Sequence, residues 1–273
     1  PWQDGGGALT RRQRAAATGG RHLVTAGFAA MVLGGAGLFV GSFLGLVSLR
    51  LPQGQDVVGG RSRCDGCGVA LPPWRLVPLV SYLLSRGRCA GCGATIPRRY
   101  PLIELAAAGV GAWAGLGQAA PLDAALTALL GWQLLLIAVI DGEHFRLPDA
   151  LTLPLLATGG LAAVLLDQTA PLDAVIGAAA GFTSLWLLAF AYRRLRGRDG
   201  LGDGDPILLA AGGAWVGWIG LPSVLLWASA AGLSFVAARM LVGRKVSGQD
   251  RLPFGPCLAA GIWLTWMLGP LGL

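Results

Sequence analysis

Residues 140–154 read IDGEHFRLPDALTLP, a charged segment set between two long apolar runs. Asp141, Glu143, His144, Arg146 and Asp149 stand at the mouths of stretches long enough to enter a bilayer. Acids in such places are costly and mark function by default. A second acid cluster, residues 200–206 (GLGDGDP), sits at the mouth of a later apolar run. The fold reading follows from these runs, and the functional reading from the acids between them.

Outward from that segment the chain stays apolar. It is 54% hydrophobic and 13% charged, with a mean hydropathy of +0.63. A soluble domain carries about 25% charged residues, so the deficit indicates a membrane protein. The 44 glycines suit close helix packing in lipid. Apolar runs predict eight membrane-spanning helices at 23–49, 102–116, 122–140, 150–166, 172–192, 206–219, 221–241 and 252–268. The fold class is therefore all-α and polytopic. Gly/Pro punctuation separates several of the spans in pairs. Residues 1–22, rich in Gly, Ala and Arg, read as a poorly ordered tail. Arginines ahead of an apolar run can also signal secretion, but the run at 23–49 is longer than a signal core needs and reads as a retained first helix.

The net charge of +7 raises nucleic acid as a partner. Its distribution points elsewhere. The loops at 50–101, 141–149, 193–204 and 239–251 carry 8, 1, 4 and 4 of the 21 Lys and Arg residues, whereas those at 117–121, 167–171 and 219–222 carry none. That alternation sets topology, with the charged loops cytoplasmic, and implies lipid rather than nucleic acid as the surroundings. Four tail arginines oppose this orientation and are outweighed. The sequence contains no Walker loop, dinucleotide fingerprint, coiled coil or strong internal repeat.

The 50–101 loop holds two knuckles, Cys64-Asp-Gly-Cys67 and Cys89-Ala-Gly-Cys92, each followed by glycine. Four sulfurs from two such turns make a tetrahedral set that suits structural zinc, with no position left open for water. The other reading, two disulfides, needs an oxidising compartment, which the topology argues against. Cys257, alone in the last span, reads as a packed apolar residue.

Leu147-Pro148-Asp149 opens the fourth span, and Asp205-Pro206 opens the sixth. Either aspartate alone reads as a complement to the helix dipole or a cap. Two on one membrane face, one preceded by a glycine-rich loop, suggest a pair. Such a pair shares a proton and can activate water against a peptide carbonyl. The glycine register admits Asp203 as well as Asp205. Glu143 and His144 read as solvated loop residues.

These motifs together resemble the type 4 prepilin peptidases, bifunctional leader peptidase/N-methyltransferases of the intramembrane GxGD aspartic protease class. The resemblance rests on residues 41–52 (GSFLGLVSLRLP), the double CxxC loop with Arg99-Tyr100-Pro101 and Glu104, residues 140–154, residues 202–215 (GDGDPILLAAGGAW) and residues 252–261 (LPFGPCLAAG). It implies Asp149 and Asp205 as the catalytic pair, Asp141 as a supporting acid, and a peptidase domain over 102–273. It also implies a methyltransferase-associated loop over 50–101 and S-adenosylmethionine as methyl donor. The implied substrates are type IV prepilins or pseudopilins, processed at a bacterial inner membrane. The chain departs from the family at Gly45, Pro206 and Ile207. The competing expectations are a peptidase without methyl transfer and, from another class, a transporter with midplane acids and an inverted repeat.

Overall fold

The architecture comes from a computed structural model that describes residues 11–57, 62–64, 66–166, 168–197, 200–243 and 253–272, with α1 side chains described from residue 24. Among the described residues eight α-helices run in chain order: α1 (Arg11–Arg50), α2 (Val80–Leu84), α3 (Arg99–Gly117), α4 (Pro121–His144), α5 (Asp149–Leu165), α6 (Pro171–Arg196), α7 (Asp205–Leu241) and α8 (Gly255–Leu268). Among the described residues there is no strand, only two isolated antiparallel bridges, Arg63–Ala70 and Arg88–Thr95. Four stretches, in α1, α4, α6 and α7, are long and apolar enough to cross a membrane, and α5 and α8 are shorter apolar helices. The tail expected over 1–22 falls partly on residues 1–10, outside the described residues; α1 already starts at Arg11.

Where two spans were expected at 206–219 and 221–241, α7 is one 37-residue element with a break inside it, at Gly217 (φ 69°, ψ 176°). An unbroken helix of that length would be about 55 Å long, far more than a bilayer core needs. The contacts with α8 show how the chain fits. A Cβ on Gly212 would meet Ile262, while one on Gly220 would meet Thr265, one on Gly261 would meet Val224 and one on Gly232 would meet Cys257. The leg 205–216 therefore runs alongside α8 in the same direction, and the leg 218–241 runs back against it. Gly217 supplies the positive φ at the reversal, which a residue with a Cβ adopts only under strain. The turn lies closer to the start of α7 than expected, because the Gly220–Pro222 punctuation is absorbed into the returning helix.

Small residues bring the helices together. Cβ atoms added to Gly37 and Gly41 of α1 would strike the α3 backbone at Ala107 and Glu104, and one on Gly111 of α3 would strike the α1 backbone at Leu33. Four-residue spacing places these positions on one face of each helix. Gly111→Ala should lower the unfolding temperature in detergent, since overpacking a tight contact costs roughly 1–3 kcal/mol. Gly109→Ala, with nothing within 4 Å of the new carbon, should hold or raise it. Equal effects of the two changes would remove the close-packing account.

The core is built around Trp215. Its Nε1 donates to the Leu155 carbonyl (3.1 Å), and its ring meets Trp266 edge-on at 5.2 Å. Trp266 Nε1 in turn donates to Thr127 Oγ1 (3.0 Å). These bonds lock α4, α5, α7 and α8 in register. Outside, α6 presents Val175, Trp186, Leu187, Leu188 and Phe190 to the surroundings.

Candidate active site and cysteine cluster

One end of the bundle gathers the acids. Asp141 lies in the last turn of α4, which Phe145 ends in a left-handed conformation (φ 52°), its N–H bonded to the Asp141 carbonyl (2.9 Å). The Asp141 side chain is buried, and Oδ2 accepts the backbone N–H of Gly255 at the start of α8 (2.9 Å). A Cβ on Gly255 would come within 2.7 Å of that oxygen, so a larger residue there would have to push the carboxylate away. Asp205 opens α7 and is also buried; its Oδ2 accepts the Gly202 N–H (3.0 Å). Pro206 sits in the first turn, where its missing N–H costs nothing. Asp205 lies within electrostatic reach of Asp141, and Cys257 within reach of both.

The other acids lie outside this pair. Asp203 has a side chain 98% exposed, in a 3.5 Å ion pair with Arg193. Asp149 begins α5 and is exposed. It remains at the mouth of the site, because Leu147, two residues before it, packs against Gly204. Of the expected catalytic pair, then, Asp205 is buried and Asp149 exposed, and the other buried acid at this end is Asp141. A signal for this was present in the sequence. Asp141 falls at the C-terminal end of its helix, where the dipole disfavours an anion, whereas Asp149 falls where the dipole welcomes one. The acid placed against the dipole is the one that needs an explanation.

Glu143 is not simply a solvated loop residue. It takes two hydrogen bonds from Arg99, Nε to Oε1 (3.2 Å) and Nη2 to Oε2 (2.6 Å). Arg99 Nη2 also donates to the fully buried Ser48 (3.1 Å). This strap joins the ends of α1, α3 and α4. Glu104, buried in α3, accepts the N–H of Leu79 (2.8 Å) and anchors the loop to the bundle. His144 Nδ1 is buried without a hydrogen-bond partner among the described residues.

The cysteine loop folds as two matched knuckles. Cys64 and Cys89 each accept at the carbonyl from the glycine four residues on, Gly68 and Gly93 (2.8 Å each). Both glycines take positive φ, 68° and 73°. The four sulfurs of Cys64, Cys67, Cys89 and Cys92 lie within 4.8 Å of one another and can hold a metal ion. None is in a disulfide. The N–H groups of Cys92 and Gly91 push the Cys89 thiol down to about 6, whereas the neighbouring sulfurs and burial push the Cys92 thiol up to about 11, so without a metal the crowded set does not ionise together. Four thiolates in a closed set are the chemistry of structural zinc.

Comparison with known proteins agrees with these features. Residues 36–116 match the model of the Bacterial Peptidase A24 N-terminal domain, and residues 128–237 that of the Type IV leader peptidase family. A Prepilin leader peptidase/N-methyltransferase of Pseudomonas aeruginosa is 36% identical over 256 residues, covering 85% of this chain and 88% of the relative. Proteins of the same name from Burkholderia pseudomallei (41% over 260 residues; 85% and 83% covered) and Aeromonas hydrophila (39% over 257 residues; 85% and 88%) are similar to it. No solved structure matches.

Proposed function

The chain belongs to the type IV leader peptidase family and is an enzyme of prepilin processing; from that premise we propose that Asp141 and Asp205 are its catalytic pair. The observation that carries the assignment is the burial of both acids at one end of the bundle, Asp141 against the start of α8 and Asp205 at the start of α7, whose first leg packs along α8. Water held between them attacks the carbonyl carbon of the leader's last residue. Its proton passes to the ionised aspartate, while the protonated one supplies a hydrogen to the carbonyl oxygen. Collapse of the tetrahedral adduct releases the new amino terminus with a proton returned to its nitrogen. Asp149 guards the mouth, and Asp203 stays outside the chemistry.

In the second reaction the freed amine attacks the methyl carbon of S-adenosylmethionine. An N–C bond forms, the C–S bond breaks with its electron pair left on sulfur, and the amine loses a proton. The substrates are type IV prepilins or pseudopilins. Their hydrophobic segment stays in the lipid and delivers the cleavage site to the membrane face. Counting the two legs of α7 separately, the chain spans a bacterial inner membrane eight times, with residues 50–101 as a cytoplasmic zinc-bearing loop and 102–273 as the peptidase domain. The basic loops are accounted for by this topology, with lipid rather than nucleic acid as their surroundings.

The test is an intact mass of a prepilin-like substrate with a basic leader, taken after incubation with the purified protein with and without S-adenosylmethionine. Loss of the leader plus one methyl group is expected. Leader loss alone would leave a peptidase without methyl transfer, and an uncut substrate would overturn the reading.

A further inference from the structure

The last turn of α4 is held from outside its own helix. It carries two acids, Asp141 and Glu143, and its only basic residue is His144. The helix dipole opposes anions at that end, so the turn is prone to fray. It closes on Phe145, whose left-handed conformation (φ 52°) glycine adopts freely and a residue with a Cβ adopts under strain. The cation that the turn's own sequence lacks comes from α3. Arg99 grips both Glu143 oxygens, Nε to Oε1 at 3.2 Å and Nη2 to Oε2 at 2.6 Å. Paired bonds between a guanidinium and a carboxylate fix direction as well as distance. The guanidinium is anchored in turn. Its Nη2 donates to Ser48 Oγ (3.1 Å), and the buried Ser48 hydroxyl donates to the Gly45 carbonyl (2.9 Å). The Arg99 side chain is 21% exposed, so solvent screens this pair less than a free surface pair.

We propose that Arg99 and Glu143 are positioning residues for cleavage, holding the last turn of α4 so that the Asp141 carboxylate meets the reacting carbonyl, a role that rests on the Asp141–Asp205 pairing above. The Asp141 side chain is fixed at Oδ2 by the Gly255 N–H (2.9 Å), which sets one oxygen. The direction of the other follows from the backbone of the turn. That backbone is pinned on both sides of the strap, by Glu143 two residues on and by the Phe145 N–H on the Asp141 carbonyl (2.9 Å). With Arg99 gone, two carboxylates would face the dipole unopposed, and the strained turn at Phe145 would relax. Asp141 would move with it, and a misplacement of about 1 Å at a reacting group can cost roughly 10²-fold in rate. The strap thereby makes α1 and α3, which carry neither acid of the pair, part of the peptidase.

The experiment is cleavage of a prepilin-like substrate by the full-length protein in detergent, with kcat and KM separated by varying the substrate. Arg99→Gln and Glu143→Gln should each lower kcat about tenfold and leave KM within about twofold, because a misplaced acid weakens the transition state and not substrate binding. The two changes together should cost no more than either alone, since both break one contact. Two rescues should follow. Reversing the pair, Arg99→Glu with Glu143→Arg, should bring kcat back to within a few-fold of native. So should Phe145→Gly in the Glu143→Gln chain, because glycine keeps the left-handed turn without the strap. Native kcat in both single variants, a loss confined to KM, or a loss that neither rescue repairs overturns the positioning role and, where Asp141→Asn is inactive, leaves the acid pair standing. An active Asp141→Asn chain overturns both.

Discussion

Asp205→Asn and Asp141→Asn each lower kcat/KM for prepilin cleavage by about 10²–10⁴, the range for removing a positioned acid or base. The amide is nearly the shape of the carboxyl, so both variants remain inserted and folded. Its oxygen can still accept the Gly202 or Gly255 N–H. What is lost is the ability to take or give a proton at the reacting carbonyl. Combining the two changes should cost little more than either alone, because the acids act as a unit. Asp149→Asn and Asp203→Asn should stay within a few-fold of the native rate, since both are exposed. The measurement is cleavage of a purified substrate under single-turnover conditions. A dead Asp149→Asn beside an active Asp141→Asn would return Asp149 to the pair.

Replacing Cys64 and Cys67 together by serine should lower bound zinc from about one per chain to near zero, read by elemental analysis of the purified protein. The remaining Cys89 and Cys92 offer only half a coordination sphere, and much of the apparent binding energy of a thiolate zinc site goes with the missing ligands. The loop contributes little apolar packing of its own; Trp74, Leu83 and Leu84 are all exposed. Its knuckles should lose order with the metal. Cleavage should survive, because Asp141 and Asp205 are held by α4, α7 and α8. Unchanged metal content would remove the cluster as the zinc site. Loss of cleavage would instead show that the loop acts on the peptidase through the strap at Arg99.

The parts legible in the sequence are those governed by short-range chemistry. Apolar runs announce membrane helices because lipid demands them, and two CxxC turns announce four convergent sulfurs because the turn itself aims them. Asp205 and Asp203 are two residues apart in a glycine-rich loop, where nothing local decides which points inward. Packing decides it, through Leu147 against Gly204 and the bond from Gly202 to Asp205. The Asp141–Gly255 contact joins residues 114 apart, and Glu104–Leu79 joins a helix to a loop. No periodicity encodes such pairings. The reversal at Gly217 was hidden differently. Pro222 suggested a break, yet it is accommodated inside the returning leg, and the actual turn falls on a glycine in an apolar stretch.

The bond between Asp141 and the N–H of Gly255 also bears on the order of synthesis. α4 leaves the ribosome first, the hairpin of α7 next and α8 last, yet the pocket around Asp141 closes only against α8. Until that last helix is threaded into the bilayer, the acid on α4 faces a gap. A nascent chain therefore carries both aspartates before it carries the helix that completes the pocket around Asp141.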